Sequence, residues 1–240
     1  MYHSKGLSSF RNKLYYVRDQ IKKYGIVIAS KIIIHEFLQK RTFLSKGISF
    51  PDFSENIDLT ISTSVYADAH ENKESSFYAI NKAFSKIPLK PGAIKFLDIG
   101  CGSGKSMVMG MVSGFDEVNG IDLDQPSLEH GKKNCHQMQL NGSNTRFSFT
   151  QQDATLYTIP PGTNVVYMFN PFGIKTLNHV VRNIQTYIEA QTFDVYIIYM
   201  NPKYIEAFTQ KKYFDIHYTS LFKGSKQKEM VILKRLNKSF

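Results

Sequence analysis

Apolar positions along the chain follow two regimes. From residue 8 to residue 42 they recur at three- and four-residue spacing on both sides of Gly25, with Leu14, Tyr15, Val17 and Ile21 before it and Ile28, Ile32, Ile33, Phe37 and Leu38 after it. That spacing predicts two helices. The runs Ile26-Val27-Ile28 and Ile32-Ile33-Ile34 also fit a strand by periodicity, and the length of the segment favours a helix. From residue 73 onward, short apolar runs alternate with helical stretches. A helix is expected over 73–87, where Phe77, Ile80, Ala83, Phe84 and Ile87 share one face and Pro88 ends it. After it come a strand at Phe96-Leu97-Asp98-Ile99, a helix over 104–111 capped by Ser103, and a strand from Glu117 that ends in acid. A helix over 126–140 with Asp124 as its N-cap follows, then strands over 145–150 and 164–169, a helix over 176–190, a strand over 194–200 and a helix over 202–210. Residues 214–222 and 229–236, joined across Gly224, read as a closing antiparallel hairpin. This alternation builds an α/β sheet with helices on its faces.

Charge divides the chain in the same place. Of the net charge of +10, residues 1–50 carry +8, ten Lys and Arg against Asp19 and Glu36, and the other 190 residues carry +2. A basic segment on a nearly neutral domain suits either an anionic partner (nucleic acid, a phosphorylated substrate, a membrane surface) or a solvated helix face. The organisation expected is a basic helical cap with its connecting loop over 1–72 and a ligand-binding domain over 73–240. Within that loop, Gly47, Pro51 and many polar residues predict irregular structure, and Thr63 to His70 is either a lid or an ordinary surface loop. Cys101 and Cys135 make no disulfide framework and no metal-ligand spacing, so no metal is expected and a cytoplasmic location is the default. No signal-like region follows Met1, and no run approaches the ~18 apolar residues of a membrane span, which leaves peripheral contact through residues 1–50 as the route to a membrane.

The chemistry centres on Asp98-Ile99-Gly100-Cys101-Gly102-Ser103-Gly104. Glycines at alternate positions after a buried strand let the backbone turn sharply and approach a ligand closely. Dinucleotide folds use G-x-G-x-x-G, and a carboxylate at Asp98 would repel a pyrophosphate. It suits a ligand carrying an ammonium group, such as the methionine part of S-adenosylmethionine. The Walker pattern fails because Ile99 stands where its first glycine belongs. There is no H-E-x-x-H, no Cys/His cluster and no G-x-S-x-G, so hydrolase and metal-enzyme chemistry lack support.

Leu97 to Gly104 resembles the first motif of the class I S-adenosylmethionine-dependent methyltransferases, and the resemblance runs from about Lys73 to the C-terminus. It implies a Rossmann-like three-layer sandwich with a seven-stranded mixed sheet in the order 3-2-1-4-5-7-6. It also implies S-adenosylmethionine as cofactor, bound by Asp98, Gly100, Cys101, Gly102 and Gly104. Asp122, beside Leu123, matches the acid that accepts the ribose hydroxyls. Asp153 matches the acid that bonds the adenine amino group, with Ala154 offering a backbone N–H, and a capping role is its rival. Asn170-Pro171-Phe172-Gly173 resembles the Asn-Pro-Pro-Tyr/Phe motif of amino-methylating members, but it lacks the second proline. Asn170, Pro171 and Phe172 are therefore the candidates for positioning the acceptor, with Asn170 also near the cofactor; the alternative is a strand-ending turn with Phe172 packed under the cofactor.

The expected function is methyl transfer by in-line displacement to a polar or anionic acceptor: a small metabolite, a glycan or a protein side chain. RNA methylation is an alternative, as is a non-catalytic scaffold docking through the basic segment. An alcohol acceptor needs a base, and the spacing of His70, His130, His136, His179 and His217 selects none of them.

Overall fold

The computed structural model describes residues 4–50, 75–170, 172–210 and 213–236, with side chains from residue 14 onward. The suggested lid at 63–70 with its His70, and Pro171, lie outside these described residues.

The chain begins with α1 (Ser4–Tyr24) and α2 (Ile26–Ser45), separated by Gly25 at φ +74°. Next come α3 (Phe77–Phe84), a 3-10 turn at Pro91–Ala93, β1 (Lys95–Ile99), α4 (Lys105–Val112), β2 (Glu117–Asp122) and α5 (Gln125–Leu140). The remainder is β3 (Arg146–Gln151), β4 (Val165–Phe169), α6 (Ile174–Glu189), β5 (Tyr196–Met200), the single turn α7 (Glu206–Thr209), β6 (Phe214–Leu221) and β7 (Lys228–Arg235).

Local chemistry sets the element ends. The Asp124 carboxylate accepts from the Ser127 N–H at 3.0 Å and caps α5, as its sequence predicts. Ser76 does the same for α3, accepting from Ala79 at 3.0 Å, so this helix starts four residues later than its apolar spacing suggests. Ser103 is not the cap of α4. Gly104, left-handed at φ +75°, stands at that position. The helix expected over 202–210 shrinks to one turn, because residues 203–205 form a turn of their own after a left-handed Asn201.

The seven strands form one sheet in the order β3-β2-β1-β4-β5-β7-β6. The first five are parallel, and β7 inserts antiparallel between β5 and β6. Alternate residues of each strand enter opposite cores. Phe96, Val118, Val165, Tyr167 and Ile198 pack with α3, α4 and α5, while Leu97, Ile121, Val166, Met168 and Ile197 pack with α6 and α7. Helices thus cover both faces, making three layers. The cap joins the first of these cores through Phe43, Ile48 and Phe50, with the Phe43 and Phe77 rings 5.3 Å apart.

The strand order reverses between β1 and β4. In open α/β sheets the carboxyl ends of the strands at such a point frame the ligand crevice.

Candidate active site

The crevice is built first by glycines. Gly100, Gly102 and Gly104 have φ of +80°, +49° and +75°, so the backbone leaving β1 turns through conformations that L side chains rarely adopt. Gly120 of β2 lets the turn settle on the sheet: a Cβ there would stand 2.4 Å from Met107 Sδ and 2.7 Å from Cys101 Sγ. Among the described residues, its own chain neighbours aside, nothing lies within 4 Å of where a Cβ of Gly102 would stand, so the turn presents bare backbone there.

Two carboxylates fix this turn. Asp122, at the end of β2, accepts from the Gly102 N–H at 2.8 Å and from the Asp124 N–H at 3.0 Å. Burial raises its pKa, and the backbone N–H groups of Asp124, Gly102 and Leu123 pull it back. Asp98, 3 % exposed, receives the hydroxyl of Ser106 on one carboxylate oxygen, while Oδ1 is buried without a partner among the described residues. Burial lifts its pKa to about 7, with Ser106 opposing the rise and the charge of Asp122 adding to it. Tyr167 of β4 sits close by, its phenol bonded to Ser75 and pushed far up by burial and by Asp98. The Cys101 thiol is buried and raised, which makes it a packing group here and not a nucleophile.

A cavity of about 640 Å³ opens from this turn. Asp98, Gly100, Cys101, Gly102, Ser106 and Tyr167 form its floor. Its opposite wall comes from the cap, through Tyr16, Gln20, Tyr24 and Glu36, and from the end of the hairpin, through Phe222 and Glu229.

Among solved structures, the crystal structure of ribosomal protein L11 methylase from Lactobacillus delbrueckii subsp. bulgaricus matches with a TM-score of 0.53 at 14% identity, over 71% of this chain and 83% of that one. StiE O-MT residues 961–1257 match with a TM-score of 0.50 at 12% identity, over 68% and 74% of the two chains. The chain has the class I methyltransferase fold. No known family's sequence profile matches it, and neither does any curated protein.

Within this methyltransferase fold the sequence-predicted residues fall into two groups. Asp98, Gly100, Cys101 and Gly102 gather at the cavity, with Gly104 closing the turn and Asp122 bonded to it. Leu123 follows Asp122, its carbonyl accepting from Gln151 Nε2 at 3.1 Å. Asp153 and Ala154 stand apart beyond β3. The Asp153 carboxylate accepts from the Thr155 N–H at 2.8 Å, so it organises a turn, and the Ala154 carbonyl accepts from Asn183. Asn170 is buried and left-handed at φ +38°, and its Oδ1 accepts from Tyr199 at 3.1 Å. That bond turns the amide oxygen toward β5. Phe172 is half-buried against the α6 and α7 core.

Several site residues escape a reading of the sequence. Asn201, left-handed at φ +46°, reaches the cavity from the end of β5 next to Asn170. Its signal is a second Asn-Pro directly after an apolar strand. Tyr167 and Ser106 are hidden because each belongs to an apolar run that reads as core. The cap residues give no signal, since periodicity does not say which face of a helix meets a ligand. None of the described histidines lines the cavity. Among the described residues no cluster fit for a metal occurs, and no helix is long and apolar enough to cross a membrane.

Proposed function

We propose that the chain is an S-adenosylmethionine-dependent methyltransferase whose acceptor enters between the helical cap and the strand ends. The observation that carries this reading is the unpartnered Oδ1 of buried Asp98 beside the open backbone of Gly102. A buried carboxylate oxygen without a partner is costly, and a ligand ammonium removes that cost by donating to it. The cavity falls in the size range of small-molecule sites, roughly 300–1,000 Å³.

When bound, the cofactor supplies a methyl group on a sulfonium, which an acceptor lone pair takes in line as the carbon–sulfur bond breaks. The chain's own work is to hold and dry the two reactants. Asp98 receives the ammonium. Asp122 has lone pairs beyond those used by Gly102 and Asp124 for the ribose hydroxyls, and Asp153 and Ala154, beyond β3, are the residues that would meet the adenine. Tyr16, Tyr24 and Phe222 supply apolar faces that keep water from the reacting atoms.

The cavity wall also bears on the acceptor. Each of its acids meets a lysine: Asp19 with Lys23 at 2.6 Å, Glu36 with Lys105 at 3.9 Å and Glu229 with Lys82 at 2.8 Å. A wall so compensated favours a polar, uncharged acceptor over an anionic one. L11 methylase, with a protein named as its target, and StiE O-MT, named for O-methylation, are examples of the fold with unlike names, so the fold does not choose the acceptor.

The test is to offer methyl-labelled S-adenosylmethionine with extracts divided into small molecules, glycans, RNA and protein. Label entering one fraction, and lost with Asp98→Asn, supports transfer. Cofactor binding with no label in any fraction contradicts it and leaves a scaffold.

A further inference from the structure

The outer side of α2 is apolar and uncovered among the described residues. At 100° per residue, Ile26, Val27, Ile34, Phe37, Leu38 and Leu44 fall within an arc of about 120°. All six are exposed, Ile26 at 67 % and Phe37 at 60 %. Ala29, Ile32 and Phe43, on the opposite side, are the residues that α2 buries. Each side of the helix is therefore apolar, and only one of them meets the protein.

Cations frame this stripe. Arg41 lies within it, its guanidinium 5.7 Å from the centre of the Phe37 ring, and Lys31 and Lys40 flank it. The one acid of α2, Glu36, is turned inward, accepting from the Tyr78 N–H at 3.0 Å.

We propose that this face of α2 docks on an anionic lipid bilayer, with Ile34, Phe37, Leu38 and Leu44 entering the headgroup–acyl boundary and Lys31, Lys40 and Arg41 meeting the headgroups. Interfacial helices combine an apolar face with flanking Lys and Arg in this way. A second copy of the chain would bring these cations against their own equivalents. RNA would find one aromatic ring, Phe37, among aliphatic side chains, where base stacking along a strand needs several. The stripe is convex and runs the length of a 20-residue helix, a shape that a flat, deformable surface covers better than a compact protein does.

The experiment is co-sedimentation of the full chain with phosphatidylcholine vesicles, with and without about 30 mol% phosphatidylserine. Binding is expected to the anionic vesicles and to weaken steeply as salt rises. Phe37→Glu/Leu38→Glu should lower it by about tenfold or more, and Lys31→Glu/Arg41→Glu by a similar factor. These side chains point away from the core, so wild-type melting temperatures should accompany both losses. Failure to pellet with anionic vesicles overturns the proposal, as does pelleting that the variants leave unchanged. It is equally overturned by light scattering that shows a dimer dissociated by Phe37→Glu, or by an exposed-face variant that melts well below the wild type. Vesicle binding is read without cofactor, so its failure leaves methyl transfer untouched.

Discussion

The Tyr24 hydroxyl at the end of α1 donates to the Glu229 carboxylate of β7 at 2.7 Å, across 205 residues of sequence. Glu229 is 3 % exposed and also receives Lys82 at 2.8 Å and Ser220 at 2.6 Å, so the carboxylate is fully engaged. Nearby, the Lys223 N–H donates to the Lys23 carbonyl at 2.7 Å and the Tyr24 and Phe222 rings meet edge to face. The helical cap is thus latched to the hairpin at the edge of the cavity.

Tyr24→Phe removes one bond to a buried charge and keeps the ring. It should cost about 1–2 kcal/mol in urea unfolding and speed proteolysis near Gly25. Glu229→Ala should cost more, roughly 3 kcal/mol, since it strands Lys82 in a half-buried place. Equal effects from the two variants would show that the latch is no more than a surface contact.

Asp98 gives the site a pH dependence. Its carboxyl titrates near pH 7 in the folded chain and near 4 when unfolded, so the apo protein is favoured by this group at low pH and loses that contribution as pH rises toward 7. Binding of an ammonium-bearing ligand needs the ionised form and runs the other way. Affinity for S-adenosylhomocysteine should rise about tenfold from pH 6 to pH 8, and Asp98→Asn should weaken binding and flatten the slope. Calorimetric titration across that range checks both.

Asp122→Ala removes the acceptor of the Gly102 and Asp124 N–H groups. Loss of about 1–2 kcal/mol of stability and of 10²-fold or more in cofactor affinity is expected. Asp122→Asn, which keeps a carbonyl for one N–H, should recover much of the stability but less of the affinity. Parallel recovery of the two would assign Asp122 to the fold alone.

Gly120→Ala puts a methyl group against Met107 and Cys101. Both are buried, and Cys101 belongs to the turn itself. The variant should lose about 1–3 kcal/mol and bind ligand more weakly, as read by thermal unfolding with and without S-adenosylhomocysteine. Gly142→Ala is the control: Gly142, unlike Gly120, has positive φ, so the variant strains the backbone, but among the described residues nothing lies near its Cβ and it does not line the cavity, so ligand affinity should not move.

Much of the fold is legible in the sequence because each strand is a short apolar run closed by a distinct stop: glycines after Ile99, acid after Ile121, Asn-Pro after Phe169. Helix starts were less legible. Ser103 and Gly104 both suit a cap, and only the backbone turn decides between them. The glycine turn, Asp98 and Asp122 could be read because their residue types have few other uses in that order. The cap's share of the cavity could not, since α2 is apolar on two sides and its pattern does not say which one is inside. Nor could the bond from Tyr199 to Asn170, because the partners meet across neighbouring strands from sites 29 residues apart.

The most direct test of the central claim is calorimetric titration of the folded chain with S-adenosylmethionine and S-adenosylhomocysteine, with NADH as the comparison ligand. Saturable binding of both sulfur compounds, weakened by Asp98→Asn and by Asp122→Ala, with no heat from NADH, is the predicted result. No binding of either sulfur compound to protein that unfolds cooperatively would contradict the account.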